Sequence, residues 1–115
     1  MAARRVIALV LTFVACAPTP GKALAEDPYK TAQEQALTLG RVLGGMRRCE
    51  GDAWEAPFQD FMAAKRKRGL DSTQTAVIAA LVGSAESEAP PEMLECSAQG
   101  LSNRATAIQA MRADW

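Results

Sequence analysis

The side chains available for chemistry are carboxylates and cysteines, because the 115-residue chain contains no histidine. Without an imidazole there is no Ser-His-Asp or Cys-His nucleophile pair, no histidine general base and no histidine-rich zinc or copper site. Paired carboxylates could still serve glycoside hydrolysis. Glu50, Asp52, Glu55 and Asp60 form the nearest acidic group, and their positions around a helix start read as solvated capping residues. Glu86, Glu88, Glu92 and Glu95 flank Pro90-Pro91, but without the glycine and spacing of a calcium loop. No glycine-rich phosphate loop is present. These observations point away from an enzyme, and no catalytic residue, metal ligand or cofactor is expected.

The three cysteines divide between two roles. Cys16 lies within an apolar run, Val6 to Ala17, that follows Arg4 and Arg5 and is too short to span a bilayer. Pro18-Thr19-Pro20-Gly21 then breaks the run, and Ala23-Leu24-Ala25 supplies a small-x-small cleavage site. Residues 1–25 are therefore expected to be a cleaved signal peptide, leaving 26–115 as one domain. A competing cut exists at Phe13-Val14-Ala15-Cys16, which resembles a lipoprotein box and would make Cys16 an acylated first residue. In that case the protein faces the periplasm from a membrane anchor. Otherwise it is soluble in the periplasm and makes no membrane contact. In either compartment Cys49 and Cys96 are left as an even pair in an oxidising space, where a disulfide is expected.

Loss of the leader also removes Arg4, Arg5 and Lys22, so ten basic residues face thirteen acidic ones and the net charge becomes −3. An acidic domain lacks the basic footprint that nucleic acid requires.

Four helical segments are legible after the leader, and the fold class expected is all-α, a small four-helix bundle stapled by Cys49–Cys96. The first opens at Asp27-Pro28, a cap followed by proline. Its apolar stripe runs through Ala32, Ala36, Leu39, Leu43 and Met46, with Cys49 one step further on. The second spans about 56–68, with Pro57 in its first turn and Trp54, Phe58, Phe61, Met62 and Lys65 on one face by spacing. It ends in Lys65-Arg66-Lys67-Arg68 before Gly69, as a helix C-terminus favours. The third begins with Asp71 as cap and Gln74 placed for a capping box, and Val77, Ile78, Leu81, Val82 and Ala85 are its expected buried face. The fourth is expected to open at Pro91, to carry Leu94, Leu101, Ala105, Ile108 and Met111, and to hold Cys96 in its second turn.

Gly40 and Gly44 lie four apart on the first helix, where each lowers helix propensity by about 1 kcal/mol. Two readings account for them. A second helix of the same domain approaches closely there, or they floor a groove for a partner helix, walled by Leu37, Phe58 and Leu81. Two further features bear on binding. The basic run Lys65 to Arg68 is read first as solvated charges at a helix end, with docking of an acidic partner or of anionic headgroups as the alternative. The aromatic face is read first as core, with a hydrophobic groove as the alternative.

The layout of a helix ending in Cys49, two helices joined through Arg68-Gly69, and Pro90-Pro91-Glu92 leading to Cys96-Ser97 resembles the pilotins of type II secretion systems, over residues 36–100. These are small helical lipoproteins with one disulfide, which bind a short C-terminal helix of an outer-membrane secretin and carry it to its membrane. Leu70 departs from the pattern, which has an aromatic residue after the glycine, and Phe13 stands where a lipoprotein box has leucine. The chain is equally similar to a family of small exported alphaproteobacterial proteins without an assigned function, through the leucine-rich helix before Cys49, Trp54 five residues later and the second cysteine. Periplasmic acid-stress chaperones share its size, helicity and single disulfide. The expected function is thus a small exported helical module that binds another envelope protein, pilotin-like or chaperone-like. An acid-stress chaperone and an enzyme using acidic residues are the alternatives.

Overall fold

The computed structural model describes residues 27–115. The leader, its cleavage site and Cys16 lie outside the described residues. Among those described, four α-helices form an all-α bundle without strands: α1 Pro28–Cys49, α2 Glu55–Lys67, α3 Ser72–Glu86 and α4 Ala98–Arg112. Two 3-10 turns, Gly51–Trp54 and Pro91–Met93, lie before α2 and in the α3–α4 connection.

Local chemistry explains most of the boundaries. Asp27 caps α1, its carboxylate accepting the Tyr29 N–H at 3.0 Å, with Pro28 in the first turn where no N–H is needed. Asp71 and Gln74 complete the expected capping box of α3: the Gln74 N–H reaches Asp71 Oδ1 at 2.8 Å, and the Asp71 N–H reaches Gln74 Oε1 at 3.0 Å. At the end of α2 the chain turns through Gly69 at φ 101°, a left-handed conformation that costs glycine nothing. Gly69 N–H donates to Arg66 O and Leu70 N–H to Lys65 O, which is a Schellman closure, and Leu70 is buried just beyond it.

The core is one cluster. Ala32, Ala36, Leu39, Leu43 and Met46 of α1 are all buried, as their spacing requires, and meet Phe61 and Met62 of α2, Ile78 and Val82 of α3, and Ile108 of α4. The closest helix pair is α1 with α3. Gly40 lies against Val82 and Ala85, and Gly44, one turn on, against Glu86, so these two helices run in the same direction. Gln35 meets both Lys65 and the Asp114 carbonyl, which places α2 and α4 antiparallel to α1.

The sulfurs of Cys49 and Cys96 are joined, with Cα atoms 5.1 Å apart. The staple does not enter α4 as expected. Pro91–Met93 is only a 3-10 turn, Cys96 sits in the connection, and α4 starts at Ala98 behind Ser97, whose hydroxyl accepts the Gly100 N–H at 3.1 Å. Arg104 supplies the reason. Its Nη1 takes the Met93 and Glu95 carbonyl oxygens at 3.0 and 2.7 Å, so these carbonyls are turned away from a helical ladder. The expected apolar stripe of α4 is corrected accordingly: Gly100, Arg104 and Ile108 face inward, while Leu101 is 49% exposed and Ala105 is exposed. In α3, Val77 is also outside the core, at 36% exposure.

Candidate functional site

The groove expected over Gly40 and Gly44 is filled by the chain itself. A Cβ added at Gly40 would meet the Val82 carbonyl and lie 2.6 Å from the Ala85 Cβ, and one at Gly44 would strike the Glu86 backbone. The glycines therefore serve the close approach of α3, the first of the two readings, and a partner helix has no bare floor there. Leu37, Phe58 and Leu81 are each half-buried, and Phe58 and Leu81 pack on the core. Of the aromatic face only Phe61 is fully enclosed. Trp54 and Phe58 meet on its margin with their rings tilted at 53° and centroids 5.9 Å apart, with the Arg47 guanidinium 3.7 Å over Trp54 and its Nε 2.6 Å from Glu86.

Packing on α1 through glycine leaves the other side of α3 uncovered. Between Ser72 and Ala85 this helix carries no ionisable residue, inside or out. Ala76, Val77, Ala80, Gly83 and Ser84 are exposed, and a Cβ at Gly83 would meet nothing within 4 Å. The exposed positions of α1, α2 and α4 each include charged residues, such as Arg41, Arg66 and Arg112. An uncharged, small-residue helix surface is the geometry that lets another helix approach closely.

The second candidate is a cleft at the bundle end where α1 and α3 begin and α2 and α4 finish. It encloses about 470 Å³ between Thr31, Glu34 and Gln35 of α1, Lys65 and Arg68 of α2, and Asp114. Here the basic run departs from its solvated reading. Arg66 and Lys67 are exposed, but Lys65 is 1% exposed. Its ammonium donates to Gln35 Oε1 at 2.5 Å and to the Trp115 main-chain oxygen at 3.4 Å, and it lies 5.3 Å from the Phe61 ring centre. Burial, and secondarily the positive charge of Arg68, hold the Lys65 pKa below the ordinary lysine value. Among the described residues no Asp or Glu side chain pairs with Lys65 or Arg68. Periodicity had placed Lys65 on the aromatic face, and that was the available signal. Its membership in a run of four cations concealed its burial.

Among the described residues no cluster of His, Cys, Asp or Glu has the makings of a metal site, and no helix is long and apolar enough to cross a membrane. No family model, curated protein or solved structure matches the chain.

Proposed function

We propose that this protein is an exported, disulfide-stapled helical module that binds another envelope protein through the outer face of α3. The observation that carries the reading is that face: fourteen consecutive residues, Ser72 to Ala85, without an ionisable side chain, with Ala76, Val77 and Ala80 open to solvent. Soluble helices ordinarily place charge on the side away from the core. Contiguous exposed apolar surface of sufficient size marks a place where a partner binds. The disulfide supports export, since such bonds persist in oxidising compartments. The leader read in residues 1–25 supports the same compartment, with acylation of Cys16 as the anchored variant.

A photo-crosslinking residue placed at Ala80 should give a discrete protein adduct in cells, and one placed at exposed Thr106 of α4 should give none. An Ala80→Lys change should remove the adduct from a neighbouring crosslinker at Val77 without altering the thermal midpoint. Equal crosslinking from α3 and α4, or none from either, would dispose of the reading. Intact mass of the same material reports which cut was made and whether lipid is attached.

A further inference from the structure

We propose that the bundle end where α1 begins and α2 finishes is a docking surface for anionic phospholipid headgroups, and that it orients the domain whenever the chain upstream of Asp27 is held at a membrane. This surface is separate from the outer face of α3, and neither reading needs the other.

Charge is distributed unevenly along the bundle. Divide each helix at its midpoint and take each connection with its own end. Among the described residues, the half towards the disulfide then holds eight carboxylates against four arginines, and the opposite half holds six cations against four carboxylates. The domain is acidic as a whole, yet one end is positive. Four of the cations there are the run Lys65-Arg66-Lys67-Arg68 that closes α2. Lys65 is turned inward, and Arg68 Nε donates to the Trp115 main-chain oxygen at 2.6 Å. Arg66 and Lys67 are exposed, and among the described residues neither is paired with a carboxylate. They are the cations left for an external anion.

The upstream chain leaves from the same end. Asp27 caps α1, and Pro28 and Arg68 line one cleft. Residues 18–26 link Asp27 to the apolar run Val6 to Ala17, and a link of that length spans at most about 35 Å. Anchoring at Cys16 would lengthen it by one residue. With 22 residues, α1 itself is about 33 Å long. Bringing the disulfide end to a bilayer would use nearly the whole reach of the link, whereas Arg66 and Lys67 stand at its point of attachment. Electrostatics acts in the same direction. An anionic surface attracts Lys and Arg within about one Debye length, roughly 10 Å at 0.1 M salt, and repels the carboxylate-rich end. The nearer end is therefore also the attracted end. Docked this way, the helices stand on the surface and the outer face of α3 remains open to the side.

The two tryptophans of the chain report on the two ends: Trp115 lies beside Arg68, and Trp54 closes the turn that follows Cys49. The test uses the full-length chain carrying either Trp54→Phe or Trp115→Phe, on vesicles of phosphatidylglycerol and phosphatidylcholine in equal parts, with a headgroup-nitroxide lipid as quencher. Trp115 should be quenched more than Trp54, and this excess should shrink on phosphatidylcholine alone. Adding Arg66→Glu and Lys67→Glu should bring the excess down to the phosphatidylcholine level with circular dichroism unchanged, because each lost cation weakens attraction to such a surface about five-fold. Equal quenching of the two indoles on the anionic vesicles would overturn the proposal, as would failure of the full-length chain to associate with them. An excess undiminished on phosphatidylcholine, or in the folded glutamate variant, would also overturn it, since the link alone would then set the orientation. Should the glutamate pair fail to fold, salt decides. At 1 M the Debye length falls to about 3 Å and the excess should drop to the phosphatidylcholine level, whereas an excess unchanged by salt would refute the headgroup contact.

Discussion

The two ends of this bundle each bury one cation, and they treat it differently. At the disulfide end, Arg104 is 1% exposed and held at two of its three nitrogens: Nε pairs with Glu50 at 2.5 Å and Nη1 donates to two carbonyls of the α3–α4 connection. It draws α1, α4 and the segment bearing Cys96 together, beside the covalent link to Cys49. At the opposite end Lys65 is equally buried, yet it rests on a neutral amide and the main-chain oxygen of Trp115. A carboxylate partner makes the first cation a structural rivet. Among the described residues no Asp or Glu does the same for the second, which faces a cleft rather than a packed connection. The contrast separates an end closed by a paired cation from an end whose buried cation has no side-chain carboxylate.

The disulfide end should therefore be the more costly to damage. Replacing both Cys49 and Cys96 by alanine releases a long closed loop, and a loss of about 4 kcal/mol in urea unfolding is expected from chain entropy. Next comes Arg104→Met, which strands the Glu50 carboxylate and two carbonyls. Breaking such a pair should cost about 3 kcal/mol or more, and a loss below about 1 kcal/mol would show that the connection does not need it.

At the other end the effects shrink. Asp71→Ala removes a capping box from α3 and should lower stability by about 1 kcal/mol, read as a shift in the urea midpoint at constant slope. Lys65→Met should fall within about 1 kcal/mol of the unaltered protein at neutral pH, because the lost hydrogen bonds are offset by removing a buried charge. Its pH dependence gives the sharper comparison. The folded pKa of Lys65 is depressed, so the unfolded chain holds this proton more tightly. The resulting destabilisation is fully present below the folded pKa and is relieved as pH rises from there to the ordinary lysine value of 10.5. Stability of the unaltered protein should rise over that interval relative to Lys65→Met.

How far the sequence revealed this differs between the same two ends. The α1 stripe, the Asp71–Gln74 box and the Gly69 turn were legible because each depends on residues within one or two turns of each other. So was the disulfide, once the leader had set Cys16 apart. The start of α4 was not legible, because Arg104 takes carbonyls that would otherwise begin a helix at Pro91. Nothing in a hydrophobic periodicity marks an arginine as an inward-facing residue. Gly40 and Gly44 signalled a close approach correctly, but their spacing alone could not say whose helix would make it. The Lys65 cleft depends on Gln35, Arg68 and Trp115, which only the antiparallel arrangement brings together.

The difference between the two cations can be measured at a single atom. Titration of the Lys65 Nζ resonance by NMR, in protein labelled with nitrogen-15 at lysine, should show a midpoint below the ordinary lysine value of 10.5. A Lys65 midpoint at or above 10.5 would mean that its charge is already fully compensated, and the contrast with Arg104 would not stand.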